Sequence, residues 1–273
     1  MLVLGDTNSA LSALIAERYG IQVFHMEAGN RCYDKKVPEE VNRKMIDAIS
    51  TWSFPYTPNS RENLLIEGKD KKKIYVSGNP IKEVIESYMD KIEASVIHDK
   101  LGIKEKEYFL VTIHRAENVD DRERLFEIFK GLEKVYNHYK IPVVCSVHPR
   151  TKDKLNKFNL DFKDSLMLLE PFGFFDFVKL EKNAKCVLTD SGTVQEECCL
   201  FHVPAVTVRD STERPETIEC GSNILSGIDS NKILECVKIM INTESEWEIP
   251  DGYDENNVSE KMLKHLLGGE WCV

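Results

Sequence analysis

The sequence predicts an α/β fold made of two doubly wound halves, and three observations carry that prediction. Strand-like and helix-like segments alternate along almost the whole chain, as βαβ units do. Five runs in the second half are near-continuously apolar and rich in Val and Ile, which is how strands buried on both faces read. A turn at Ser77-Gly78-Asn79-Pro80 interrupts the alternation and separates the two series.

In the first series, strands are expected at Leu2–Gly5, Gln22–Glu27, Trp52–Tyr56 and Lys73–Ser77. A helix is expected over Ser9–Tyr19, stopped by Gly20, and another over Pro38–Ile49, with proline at the permitted first position. A third runs from Asn59, where Glu62 completes a capping box, to the terminator Gly68. A charged amphipathic helix then continues to about Lys100. The second series comprises YFLVTIH (108–114), PVVCSVH (142–148), LMLLEP (166–171), CVLTDS (186–191) and AVTVRD (205–210), with helices such as Arg122–Tyr139 and Val194–Phe201 between them. The tail from Asp251 is a polar link and one short helix, Ser259–Leu267. This gives a Rossmann-like half at 1–79, a second at 80–250 and a terminal segment at 251–273. The first half has four strand candidates, the first starting at residue 2, and no glycine-bearing strand–turn–helix unit precedes them. It is therefore expected to be incomplete at its N-terminus.

Composition narrows the function. With 42% hydrophobic and 30% charged residues in 273, the chain has enough apolar material to fold, and disorder is excluded as its main state. No apolar run approaches the ~18–20 residues that span a bilayer, and no secretory h-region follows Met1, so a cytoplasmic protein with no membrane partner is expected. A net charge of -10 argues against nucleic acid as a partner. A small anion remains possible, because helix N-termini supply a local positive field. The eight cysteines form no C-x-x-C pair, so they read as reduced thiols, with neither disulfide nor metal expected.

Ligands of parallel α/β sheets sit beyond the carboxyl ends of the strands. Polar residues cluster there: Asp6, His25 with Glu27, His114, His148, Asp190 with Ser191, and Arg209 with Asp210. In TDSGTVQEE (189–197), Ser191, Gly192 and Thr193 offer backbone N–H groups at a helix N-terminus, and Glu197 follows about one and a half turns later. The same stretch also reads as a plain N-cap followed by a solvated carboxylate. Arg214 lies in a loop before Pro215 and suits a bidentate phosphate contact, or a local ion pair with Glu213 or Glu216. Asp6, Glu27 and Glu39 lie on separate loops and can serve as acid and base, although Glu39 equally complements a helix dipole. His25 reads better as a packed, hydrogen-bonded residue than as a reactive one, and His148 is open between the two roles.

Taken together and in order, GDTNSALS (5–12), HMEAGNR (25–31), VPEEVNRK (37–44), SGNP (77–80), TIHRAEN (112–118), VHPR (147–150), TDSGTVQEE (189–197) and RDSTERPE (209–216) resemble the non-hydrolysing UDP-N-acetylglucosamine 2-epimerase family. The resemblance implies a glycosyltransferase-B-like fold with a UDP-sugar between a sugar-side and a UDP-side half, and a last helix returning to the first half. It implies C2 epimerisation of UDP-GlcNAc to UDP-ManNAc by elimination and re-addition of UDP, in a homodimer needing no cofactor. It carries Asp6, Glu27 and Glu39 over as acid/base groups, with His114 near the leaving phosphates. Ser191, Gly192 and Thr193 become the phosphate-binding turn, Glu197 the ribose ligand and Arg214 the diphosphate ligand. Phe177 becomes an aromatic at the nucleobase, although Phe172, Phe174, Phe175 and Phe177 together also read as core. Asn30-Arg31-Cys32 departs from the common family pattern and looks closer to the branch forming UDP-N-acetyl-L-fucosamine, a precursor of O-antigen and capsule. A glycosyltransferase on the same architecture and a nucleotide-binding remnant without turnover are the competing expectations.

Overall fold

The computed structural model describes residues 1–35, 37–243 and 246–268. It divides into two compact units, Met1–Glu86 with Ile249–Val273, and Ser87–Glu248.

The first unit runs β1 (Leu2–Leu4), a 3₁₀ turn at Asn8–Ser12, α1 (Ala13–Arg18), β2 (Phe24–Met26), α2 (Pro38–Ile49), β3 (Trp52–Phe54), α3 (Pro58–Ile66) and α4 (Ile81–Ser87). Its three strands form a parallel sheet in the order β1-β2-β3, with Val3 opposite His25 and His25 opposite Ser53. The period of two along each strand splits the apolar residues between the two faces. Val3 packs with Ala10, Ala13, Ala16 and Ile46 of the 3₁₀ turn, α1 and α2. Trp52 and Phe54 pack on the other side against Val258 and Met262.

Two local expectations need correction. Lys73–Ser77 is not a strand: it makes one isolated bridge, Ser53 to Ile74. Tyr75 N–H donates to Ser53 O at 3.0 Å and Ser77 N–H to Pro55 O at 3.0 Å. The reciprocal bond would come from residue 55, and proline has no N–H to give. The cap of α3 is Thr57, whose hydroxyl accepts from Ser60 N–H, so Asn59 already lies inside the helix.

The second unit contains α5 (Met89–Glu93), α6 (Ile97–Leu101), β4 (Phe109–Thr112), α7 (Ala116–Val119), α8 (Arg122–Tyr139), β5 (Val143–Ser146), α9 (Pro149–Lys157) and β6 (Met167–Leu169). It continues through α10 (Phe174–Lys182), β7 (Cys186–Thr189), α11 (Gly192–Leu200), β8 (Ala205–Thr207), α12 (Pro215–Glu219), β9 (Asn223–Leu225) and α13 (Ser230–Asn242). The single long helix expected before Lys100 is instead three short ones. Tyr88 breaks it where its ring meets Phe174 and Phe175, and Ser95 Oγ accepts from Ile97 N–H at the start of α6. All six strands are parallel, in the order β6-β5-β4-β7-β8-β9. The core against α8 and α13 is continuous: Phe109, Val111, Leu125, Ile128, Leu132, Val143, Leu188, Ile233 and Val237 are all buried. Each such side chain contributes roughly 1.5–3 kcal/mol by leaving water, which is what holds the strand ends in place. The chain then rejoins the first unit with α14 (Val258–Leu267), where Gly78 approaches so closely that a Cβ would lie 2.5 Å from that of Glu255.

Candidate functional site

In the first unit, the polar groups at the ends of β1 and β2 are organised by α2. Arg43 of α2 donates through one Nη to the Asp6 carboxylate and to Glu27 Oε1 at 3.4 Å, and through the other to Glu27 O at 2.6 Å. Asn42 Nδ2 donates to Asp6 O at 2.9 Å. Asp6 and Glu27 are thus brought together on one guanidinium, each about one-sixth exposed. Glu27 has a left-handed backbone (φ 64°), and its Oε2 lies so near Gly5 that a Cβ there would sit 3.0 Å away. Glu39 is half-buried in the first turn of α2, one turn before Arg43. Sequence reasoning missed Arg43. The available signal was its spacing, four residues after Glu39 and so on one helical face.

Beneath these carboxylates lies a buried network. His25 is wholly buried, with Nδ1 at 2.7 Å from Asp47 and Nε2 at 2.9 Å from Gly5 O, so it fixes the turn that carries Asp6. Asp47 also accepts from Gly29 N–H at 3.1 Å and from Arg31 at 2.7 Å. Burial raises the Asp47 pKa, but His25 and Arg31 more than offset this and hold its carboxyl below the ordinary range. The Asn30 amide oxygen accepts from Ser60 at 2.7 Å, and Cys32 N–H donates to Glu40 at 3.0 Å.

In the second unit, the strand order reverses between β4 and β7, and that switch point is where α/β sheets bind ligands. Asp190, at the end of β7, is fully buried and accepts from His114 N–H at 3.0 Å, Arg115 N–H at 2.9 Å and Asn118 Nδ2 at 3.1 Å. It pins the loop after β4 and leaves the His114 ring partly exposed, with Nδ1 at 3.4 Å from Asp190. Burial pushes the His114 imidazole below its ordinary value, and Arg115 and His148 push the same way, against the pull of Asp190. His148 is a helix cap: its Nδ1 accepts from Arg150 N–H at 3.2 Å.

Ser191 precedes α11 without a side-chain capping bond, so the first N–H groups of that helix are left for another acceptor. Thr193 is exposed in the same turn. A Cβ on Gly192 would lie 3.3 Å from Arg214 Cζ, so the guanidinium lies directly against the helix N-terminus. Arg214 is held there by Glu196 of α11, which accepts from its Nε, and by Glu213 O at 3.3 Å from Nη1. Its Nε thus pairs with a carboxylate outside its own segment. Glu213 instead makes a buried two-bond pair with Arg209 at 2.8 and 3.0 Å. Gln195, also missed from sequence, ties the arrangement together: its Nε2 donates to Ser191 O at 3.0 Å, and its Oε1 accepts from Thr212 at 2.7 Å. Thr212 Oγ1 in turn accepts from Arg214 N–H at 3.1 Å. The i, i+4 spacing of Ser191 and Gln195 was the available signal. Glu197 is buried, and Phe177 is half-buried against the core formed by Leu180, Val187 and Cys198. Two cavities, of about 420 and 670 Å³, lie elsewhere and contain none of the residues expected at the site.

An uncapped helix N-terminus at a switch point, with an arginine laid across it, is the arrangement at which doubly wound α/β proteins receive anionic ligands. Comparison with known proteins narrows this. The family model of UDP-N-acetylglucosamine 2-epimerase matches residues 1–267, and the chain belongs to that family of isomerases. The UDP-N-acetylglucosamine 2-epimerase of Methanocaldococcus jannaschii is 40% identical over 99% of this chain and 76% of its own length. The UDP-2,3-diacetamido-2,3-dideoxy-D-glucuronate 2-epimerase of Pseudomonas aeruginosa is 35% identical over 87% of this chain and 66% of its own. The crystal structure of the M. jannaschii epimerase in complex with UDP-GlcNAc and UDP superposes with a TM-score of 0.92 at 41% identity, covering 98% of this chain and 75% of that one. The two Rossmann-like halves are those of the glycosyltransferase-B-like class expected from the sequence.

Proposed function

We propose that the protein epimerises UDP-GlcNAc at C2 to give UDP-ManNAc, by anti or syn elimination of UDP and its re-addition. The C2 proton is not adjacent to a carbonyl, so direct abstraction would leave an unstabilised carbanion. Loss of UDP yields a 2-acetamidoglycal instead, and protonation of its other face inverts C2. The observation that carries this reading is Arg214 against the uncapped N-terminus of α11. A leaving diphosphate needs that donor set most as its charge develops. Ser191, Gly192, Thr193 and Arg214 are assigned to the diphosphate, with His114 beside it, Glu197 to the ribose and Phe177 to the uracil. Asp6, Glu27 and Glu39 are assigned to proton removal and return, with Arg43 holding Asp6 and Glu27 together. The UDP-sugar is the small-molecule partner, and its intracellular supply argues for the cytoplasm. Among the described residues, no helix is long and apolar enough to cross a membrane. A homodimer is expected, and sedimentation velocity checks it.

The test is turnover of UDP-GlcNAc in deuterated water. The expected product is UDP-ManNAc carrying deuterium at C2. Glu27→Gln or Asp6→Asn should slow exchange by about 10²–10⁴-fold, as removal of an acid/base group does. Epimerised product without solvent deuterium overturns the mechanism. Transfer of the sugar to an acceptor without any C2 exchange returns the glycosyltransferase reading.

A further inference from the structure

Glu181, on α10, is a wholly buried carboxyl group that the proposed chemistry does not use. Cys198 Sγ donates to its Oε1 at 3.4 Å, and its Oε2 has no donor among the described residues. The carboxyl of Glu197, on α11, lies within hydrogen-bond reach of it. The other titratable groups facing this pair are Glu196, Cys186, Cys198 and Lys106. None supplies a free cation: Glu196 is taken by Arg214, and Lys106 Nζ donates to Lys182 O at 3.1 Å and Ala184 O at 3.2 Å.

Two carboxylates in contact, both buried and with no counter-charge among the described residues, are not a stable arrangement. At least one proton must stay on the pair. An un-ionised Glu181 resolves the orphaned Oε2, because its O–H becomes a donor and the acceptor in reach is Glu197. Burial pushes both carboxyl groups above their ordinary range, Glu181 the further. The direction follows from the geometry, since Glu181 is fully enclosed and Glu197 retains slight exposure.

We propose that Glu181 is a positioning residue, a neutral carboxylic acid whose hydrogen bond holds Glu197 in the orientation that accepts from the ribose hydroxyls of UDP. The idea rests on the assignment of Glu197 to the ribose in the proposed function. Glu181 does not touch the ligand; it removes the rotational freedom of the residue that does, and it spares Glu197 from repelling a second buried charge.

The experiment pairs infrared difference spectroscopy with UDP titration on the full chain. The carbonyl stretch of an un-ionised carboxylic acid should be present at neutral pH and disappear in Glu181→Gln. Because a glutamine amide still donates to Glu197, Glu181→Gln should bind UDP within about threefold of the parent, whereas Glu181→Met should bind about tenfold more weakly. Met fills the space without a polar atom, so the comparison with Glu181→Gln isolates the hydrogen bond to Glu197. A spectrum in which the band survives Glu181→Gln, or a Glu181→Met protein with parental UDP affinity, overturns the proposal. If the parent itself fails to bind UDP, the proposed function fails, and the infrared band still decides whether residue 181 carries the proton.

Discussion

Asp190→Asn isolates what a single negative charge does at the switch point. The carboxylate holds three donors on one corner: Arg115 N–H at 2.9 Å, His114 N–H at 3.0 Å and Asn118 Nδ2 at 3.1 Å, all on Oδ2. An asparagine must place its oxygen on that corner, because an amide NH₂ there would face three donors and could accept from none. Its nitrogen then takes the place of Oδ1, 3.4 Å from His114 Nδ1, and gives up the second bond that Oδ1 accepts from His114 N–H at 3.1 Å. The three bonds on Oδ2 keep their geometry, while the charge and the His114 bond to Oδ1 are lost. A bond to a charged acceptor is worth about 1 kcal/mol more than its neutral counterpart, so three of them predict a loss of about 3 kcal/mol. For a unit of this size that lowers the melting midpoint by roughly 6–12 °C. Differential scanning calorimetry reads it directly. A midpoint within about 2 °C of the parent would refute the claim that the Asp190 charge fixes the loop bearing His114 and Arg115.

Three further expectations follow from the same chemistry. His114 has a folded pKa below its ordinary value, so the unfolded chain binds a proton that the folded chain refuses; stability should fall as pH drops below about 6.5, and His114→Asn should flatten that slope in urea denaturation. Arg214→Lys keeps the charge but loses the planar fork lying against Gly192, and should weaken UDP binding about tenfold by calorimetric titration, with Arg214→Met weaker still. Leu4 is 59% exposed on β1, an edge strand of its sheet, so Leu4→Lys should raise the concentration at which the protein stays monodisperse in light scattering, with an unchanged melting midpoint.

The strands of the second unit were legible because they are buried on both faces, and the runs around Val111, Val144 and Leu188 say so without help from the rest of the chain. What was not legible depended on a second segment. Lys73–Ser77 has the composition of a strand, but its pairing depends on Pro55, about twenty residues earlier, lacking an N–H. The stretch before Lys100 has helical periodicity throughout, and nothing local in it reveals that Tyr88 will be drawn onto Phe174 and Phe175. Thr57 outcompetes Asn59 as a cap because Pro58 suits the first helical position, a signal that was present and misread.

The site divides along the same line. Residues placed by the ends of strands, such as Asp6, His114 and Ser191, could be nominated from the sequence, because a parallel sheet delivers all its strand ends to one edge. Residues that hold those groups in place could not, because their partners come from other elements. Arg43 matters through Asp6 and Glu27, Gln195 through Thr212, and Glu196 through Arg214. Charge explains why such partners exist at all. Asp6 and Glu27 are partly withdrawn from water and would repel each other, and the long side chain of Arg43 on a neighbouring helix places a cation against both. The same requirement at Arg214 runs in the opposite sense. Glu196 neutralises the guanidinium, so the diphosphate proposed for this site has to compete with a carboxylate already in place. A site so arranged gains least from binding a neutral group and most from a ligand of higher negative charge, which is the discrimination that a nucleoside diphosphate leaving group requires.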